Sequence, residues 1–180
     1  MQLKEFQDNE EENQRIKKLY IEAFPPDERA PYWILKRRVN QGKAEQWNFY
    51  EEDTWVGWIY IARHKDLIYI FFFAIDSALR GQGYGTKALK TFIESNKDHR
   101  IFLALEDWEK DSKNKEQRYK RYQFYKNCGL QVLPHHLKEG KNIFNIMGVG
   151  GPVEAIEYRE LMDNYIGWPF KHLIDMKMVD

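Results

Sequence analysis

The feature that most constrains this chain is a glycine-rich turn, Arg80-Gly81-Gln82-Gly83-Tyr84-Gly85, set between two different kinds of regular segment. Before it, Leu67 to Ile75 is apolar almost without a break, which predicts a strand covered on both faces. After it, Ala88, Leu89, Phe92 and Ile93 mark one face of a helix. Glycines at such a junction let the backbone approach a ligand and turn successive N–H groups outward. The helix that follows adds its dipole and its unbonded first amides, so the unit is suited to phosphate oxygens. A single glycine would point only to a tight turn. Three alternating glycines behind an arginine point to an anion site.

The kind of phosphate ligand is narrowed by what the turn lacks. A Walker A loop ends in Gly-Lys followed by Ser or Thr, and Gly85-Thr86-Lys87 does not supply that. A dinucleotide fingerprint spaces its third glycine differently and opens a repeating βαβ array. Glu106 does stand about where that fingerprint wants its acidic residue, but the strands before this loop are joined by short turns. A nucleotide-binding domain is therefore the weaker reading.

The rest of the chain predicts a single mixed α/β (α+β) domain over residues 1–180. Ile16, Leu19, Tyr20, Ala23 and Phe24 have helical spacing, with Asp8 and Asn9 as caps, Glu10 to Glu12 suited to the helix dipole, and Pro25-Pro26 as the stop. A second helix is expected from Tyr32 to about Val39. Glu45 to Ile75 is rich in strand-favouring Trp, Phe, Val, Ile and Tyr and reads as a three-stranded antiparallel meander with turns at Glu51-Glu52-Asp53 and His64-Lys65-Asp66. Ile101 to Leu105 is a further strand. A helix runs from about Lys115 to Asn127 and is closed by Gly129. Leu130 to Leu133 and Asn142 to Val149 form a last strand pair, and Pro152 opens a final helix carrying Val153, Ile156 and Leu161.

Arg80-x-x-Gly83-x-Gly85 resembles the acyl-CoA-binding signature of the GNAT superfamily of N-acetyltransferases. Phe124-Tyr125-Lys126-Asn127-Cys128-Gly129-Leu130 resembles the family's second landmark, an aromatic-Tyr-x-x-x-Gly-apolar segment. The two stand in the family's order, with one helix and one strand between them. The resemblance implies a mostly antiparallel central sheet flanked by helices, with strands splayed at the acyl-CoA site. It implies acetyl-CoA as acyl donor and an amine as acceptor, transferred directly in a ternary complex. On this likeness the main-chain amides of Gly81, Gln82, Gly83, Tyr84, Gly85 and Thr86 bind the pyrophosphate together with Arg80, and Phe73, Ala74 and Ile75 pair with the pantetheine arm. Tyr125 matches the tyrosine that protonates the CoA sulfur. An unperturbed phenol, with a pKa near 10, is protonated at neutral pH as that role requires. One departure stands out. Where many members carry a small or amide residue before this tyrosine, this chain has Arg118 and Arg121, which could reach cofactor phosphates. A non-catalytic acyl-CoA-binding sensor or interaction module on the same fold is the alternative.

Transfer to an amine needs a base or a water chain to take its proton. Glu106 is the first candidate and Glu28, on the Pro-rich turn after the first helix, the second; Glu51 and Asp107 are weaker. Cys128 lacks an activating partner and is read as packing. His135-His136 is not read as a metal site, because neighbours on a strand point to opposite faces. The acceptor is a small-molecule amine or a peptide amine, and a homodimer is an admissible assembly.

Composition excludes other classes. The chain has 28 Lys plus Arg against 28 Asp plus Glu, so no global field favours a nucleic-acid backbone. No apolar run reaches the roughly 20 residues of a membrane span, and the N-terminus lacks a signal-like pattern. With Cys128 as the only cysteine, the expectation is a cytoplasmic protein.

Overall fold

The computed structural model describes residues 1–140, 142–167 and 176–179; of Asp27 and Met176 only the backbone is described. The described residues form a mixed α/β fold, with eight strands and five α-helices among them. The hydrogen-bonded strand order is β1-β2-β3-β4-β5-β7-β6-β8. Contacts group the chain into two units, Met1–Ala62 with Phe71–Ser95, and Arg63–Ile70 with Asn96–Asp180.

The first unit begins with β1 (Gln2–Glu5) and α1 (Glu10–Ala23). Asn9 caps α1, its side chain accepting from the Glu12 amide at 2.9 Å, and Glu10 to Glu12 fill the first turn as the helix dipole favours. After Pro25 the chain makes one 3₁₀ turn (Pro26–Glu28), then α2 (Tyr32–Asn40). The meander follows as β2 (Glu45–Glu51), β3 (Thr54–His64) and β4 (Leu67–Ile75). β2 pairs antiparallel with both β1 and β3. The α1 face of this sheet is aromatic with a buried polar seam. The indole N–H groups of Trp55 and Trp58 donate to the side-chain oxygens of the buried Asn48 and Gln46, each at 2.8 Å, and Asn48 donates on to Glu12 of α1 at 2.9 Å. The bond from Asn48 to Glu12 fixes the register of α1 on the sheet, while Gln46 Nε2 is buried without a partner among the described residues. The unit closes with α3 (Tyr84–Ser95), which buries Ala88, Leu89 and Phe92.

In the second unit β5 (Arg100–Glu106) runs parallel to the start of β4, from Leu67↔Arg100 to Tyr69↔Phe102, and antiparallel to β7 (Asn142–Val149). β4 itself continues to Ile75. Between β5 and the final pair lies α4 (Lys115–Asn127), ended by Gly129 at φ +100° as the sequence predicts. β6 (Gln131–Glu139) is longer than expected. It continues past Pro134, which has no N–H to give, and its register with β7 shifts between Val132 and His136. α5 (Ala155–Ile166) starts later than Pro152 suggests, because Glu154 and Glu157 form a capping box. A short strand, β8 (Met176–Val179), pairs with β6. Tyr69 stacks on Phe102 at 4.8 Å, and Tyr158 of α5 meets both rings edge-on. Among the described residues no helix is long and apolar enough to cross a membrane.

Candidate active site

The glycine loop is held open by its own side chains. Asp76 accepts from the Ala78 amide at 3.0 Å and opens one 3₁₀ turn, Ser77–Leu79. Arg80 folds back, its Nε donating to the Ile75 carbonyl at 3.0 Å, and Gln82 donates to the Ala78 carbonyl at 3.2 Å. Gly81 and Gly83 both adopt positive φ, +77° and +83°, the left-handed region where other residues are strained. A Cβ at either would meet nothing within 4 Å, so these glycines are required by conformation and not by crowding. The amide of Lys87 is the first to rejoin the helix ladder, donating to Gly83. The six amides before it, Gly81 to Thr86, have no protein acceptor among the described residues. Six successive unpaired donors on an exposed loop at the positive end of α3 form a nest for a polyanion.

Strand β4 leads into this loop, and one residue the sequence reading missed shapes that approach. Gly57 of β3 lies opposite the end of β4, where a Cβ would stand 2.3 Å from the Ala74 carbonyl oxygen and 3.0 Å from the Ile75 Cα. Only glycine lets β3 come this close to the strand end. The Asp76 amide then donates to the Val56 carbonyl at 2.9 Å. An isolated glycine inside Trp55-Val56-Gly57-Trp58 was the available signal. Ala74 and Ile75 are buried and Phe73 is half-buried, its ring 5.8 Å from Phe49.

In the second unit, Glu106 closes β5 and is gripped by two arginines of α4. Arg118 Nη2 reaches Oε1 at 2.5 Å and Arg121 Nη2 reaches Oε2 at 3.0 Å. Arg118 also donates to the Asp107 carbonyl. The two arginines that the sequence set before the motif tyrosine thus bind a carboxylate of the same unit. Tyr125 follows Arg121 by one turn of α4, half-buried, its ring 5.0 Å from Phe124. Burial pushes its phenol up to about 12, with the Arg121 charge pulling the other way. The phenol therefore stays protonated through the neutral range.

The remaining candidates are engaged elsewhere. Glu28 is exposed on the turn between α1 and α2. Glu51 pairs with Lys87 at 2.5 Å and with the N-terminal ammonium at 3.1 Å, and Lys87 first among these holds its carboxyl below the usual range. Asp107 Oδ1 accepts from the amides of Glu109 and Lys110 in a turn. Cys128 is buried and in no disulfide.

The family model described as the acetyltransferase (GNAT) family matches residues 13–130. That span holds both motifs, and the chain belongs to this family. No match to a curated protein was found. Among solved structures, a Bacteroides thetaiotaomicron protein assigned to the GNAT family of acetyltransferases superposes with a TM-score of 0.73 at 22% identity, over 90% of this chain and 93% of its own. A spermidine N-acetyltransferase variant from Vibrio cholerae gives 0.62 at 10% identity, over 83% and 94%. An aminoglycoside 6'-N-acetyltransferase complexed with coenzyme A gives 0.60 at 15% identity, over 85% and 100%. At these identities the likeness shows a shared fold.

Proposed function

We propose that the protein transfers the acetyl group of acetyl-CoA to an amine acceptor, directly and in a ternary complex. The observation that carries this reading is the run of unpaired amides from Gly81 to Thr86. Its donors suit the pyrophosphate of CoA, and the Arg80 side chain is kept beside them by its bond to Ile75. The backbone of Phe73, Ala74 and Ile75, on the part of β4 beyond its ladder with β5, is the proposed partner of the pantetheine arm. A main-chain amide there would polarise the thioester carbonyl, as in other oxyanion sites.

The bound thioester supplies an activated acyl carbon, and the chain's own groups handle the protons. To Tyr125 we assign the role of proton donor to the CoA sulfur. With its pKa raised it is a weak acid, so its part is a hydrogen bond to the departing thiolate with proton delivery as charge develops. For the amine's proton we place Glu28 ahead of Glu106. Both oxygens of Glu106 already accept from guanidinium groups of its own unit, whereas Glu28 is exposed.

The test is a CoA-thiol release assay over a panel of amines, paired with thermal unfolding in the presence of CoA. A ligand that binds only the folded state stabilises it by about 2.7 kcal/mol at a hundredfold excess over Kd. Stabilisation by CoA together with amine-dependent thiol release supports the reading. CoA binding with no release for any amine would replace it by a binding module, and stabilisation by NAD or ATP alone would overturn it.

A further inference from the structure

Strand β4 should bury both faces, and Leu67 to Ile70, Ala74 and Ile75 are buried. Phe71, Phe72 and Phe73 between them are only half-buried. Large rings left partly open in mid-strand, with buried neighbours on either side, offer apolar surface that a bound molecule can cover.

Alternation sends these rings to different faces. Phe73 lies beside Phe49. Glu51, two residues from Phe49 and so on the same face, pairs with Lys87 of α3, which makes this the face of the glycine loop and its helix. Phe72 lies on the opposite face, under α1. Its ring is 4.9 Å from Tyr20 and 5.0 Å from Phe24, both edge-on, and it lies parallel to Trp58 at 6.3 Å. Phe24 is only half-buried as well. The polar atoms of this wall turn into the fold. Tyr20 Oη donates to the Ala30 carbonyl at 2.9 Å, and Trp58 Nε1 donates to Gln46. What Phe72 and Phe24 offer outward is ring surface.

We infer that this wall receives the acceptor, and that the acceptor is a primary amine borne on an aryl or bulky apolar body. The inference rests on the acetyl-transfer reading above. A cofactor held by loop amides on the α3 face leaves the α1 face of β4 for the attacking nitrogen. With that nitrogen about 3–3.5 Å from the acyl carbon, the body of the amine lies along Phe72 and Phe24. Aromatic edges and faces hold an aryl group well and attract the ammonium form before its proton is lost. A polycationic amine or a polyhydroxylated amino sugar would bring polar groups that ring surface cannot pair, and such mismatches are selected against strongly.

The experiment measures thiol release with 2-phenylethylamine, tryptamine, hexylamine, spermidine and kanamycin, for the native chain and for Phe72→Leu and Phe24→Leu. Phenylethylamine is expected to exceed spermidine and kanamycin in kcat/KM by at least about tenfold. Either leucine variant is expected to lower the ratio of phenylethylamine to hexylamine by about tenfold, with the thermal shift given by CoA unchanged. That shift reports folding and cofactor binding separately from acceptor choice, and Phe24, at the end of α1, serves if Phe72→Leu does not fold. Preference for spermidine or kanamycin, with the leucine variants leaving the aryl-to-alkyl ratio unaltered, would overturn the inference and leave acetyl transfer standing. No release with any amine would overturn both.

Discussion

Arg100 grips Glu157 with both ends of its guanidinium, Nη2 at 2.6 Å from Oε1 and Nη1 at 2.9 Å from Oε2. The same group reaches Asp66 through Nε at 2.7 Å and the Pro152 carbonyl at 2.8 Å. One side chain thereby ties the start of β5 to the turn before β4 and to the first turn of α5.

This clasp makes stability depend on acid. Arg100 is the leading cause that holds the carboxyls of both Glu157 and Asp66 below their ordinary values. A carboxylate whose folded pKa is depressed contributes stability above its unfolded pKa and loses it as pH falls through the folded one. Denaturant midpoints should therefore drop as pH falls below about 4.5, the ordinary glutamate range. Arg100→Ala should cost about 1–2 kcal/mol at neutral pH and flatten the acid limb. Urea titrations of both proteins at several pH values check this; an unchanged acid limb in the variant would count against the clasp.

Gly57→Ala places a methyl group 2.3 Å from the Ala74 carbonyl oxygen, which is backbone and cannot rotate away. The strand end must shift, at about 1–3 kcal/mol. Because that end leads into the glycine loop, the expected outcome is a lower Tm together with a KM for acetyl-CoA raised more than that for the amine. Equal changes in both constants would mean that the loop tolerates the shift.

Tyr125→Phe should lower kcat by about 10²-fold, within the usual range for a positioned acid, with CoA affinity by calorimetry nearly unchanged. With the phenol pushed up to about 12, ionisation of Tyr125 should give no alkaline fall in kcat below about pH 10. An equal loss of kcat and CoA affinity would make Tyr125 a packing residue.

The two proposed bases separate by mutation. Glu28→Gln should reduce kcat more than Glu106→Gln does, and its log kcat should lose an acid limb. Glu106→Gln removes the charge facing Arg118 and Arg121, so its signature is a change in the salt dependence of the acetyl-CoA KM as two guanidiniums lose their partner. A reversed order in kcat would return Glu106 to the role of base.

Much of the fold was legible because local signals agreed with one another. The limits of α4 follow from its polar entry and from Gly129, and the meander follows from runs of β-branched and aromatic residues broken by acidic turns. The edge strands were not legible. Gln2–Glu5 is mostly exposed and lacks an apolar alternation, so it is a strand only because β2 offers it a partner. Pro134 hid the second half of β6 for a related reason, since pairing resumes beyond it by a register shift that sequence does not announce. At the candidate site the glycines were readable because their function is conformational. The hold of Arg118 and Arg121 on Glu106 was not, since it joins a strand end to a helix 12 and 15 residues on.

The anion nest of Gly81 to Thr86 is made of peptide groups, and this has a consequence for how the chain can vary. Tyr84 and Thr86 give their amides whatever their side chains are, while Gly81 and Gly83 are fixed by dihedral angle and Gln82 by its side-chain bond to the Ala78 carbonyl. A saturation library over these positions should therefore be permissive at Tyr84 and Thr86, restricted at Gln82 and intolerant at Gly81 and Gly83. Inheritance of this row of open amides then asks for two backbone torsions to persist, and Tyr84 and Thr86 are left to drift toward other tasks.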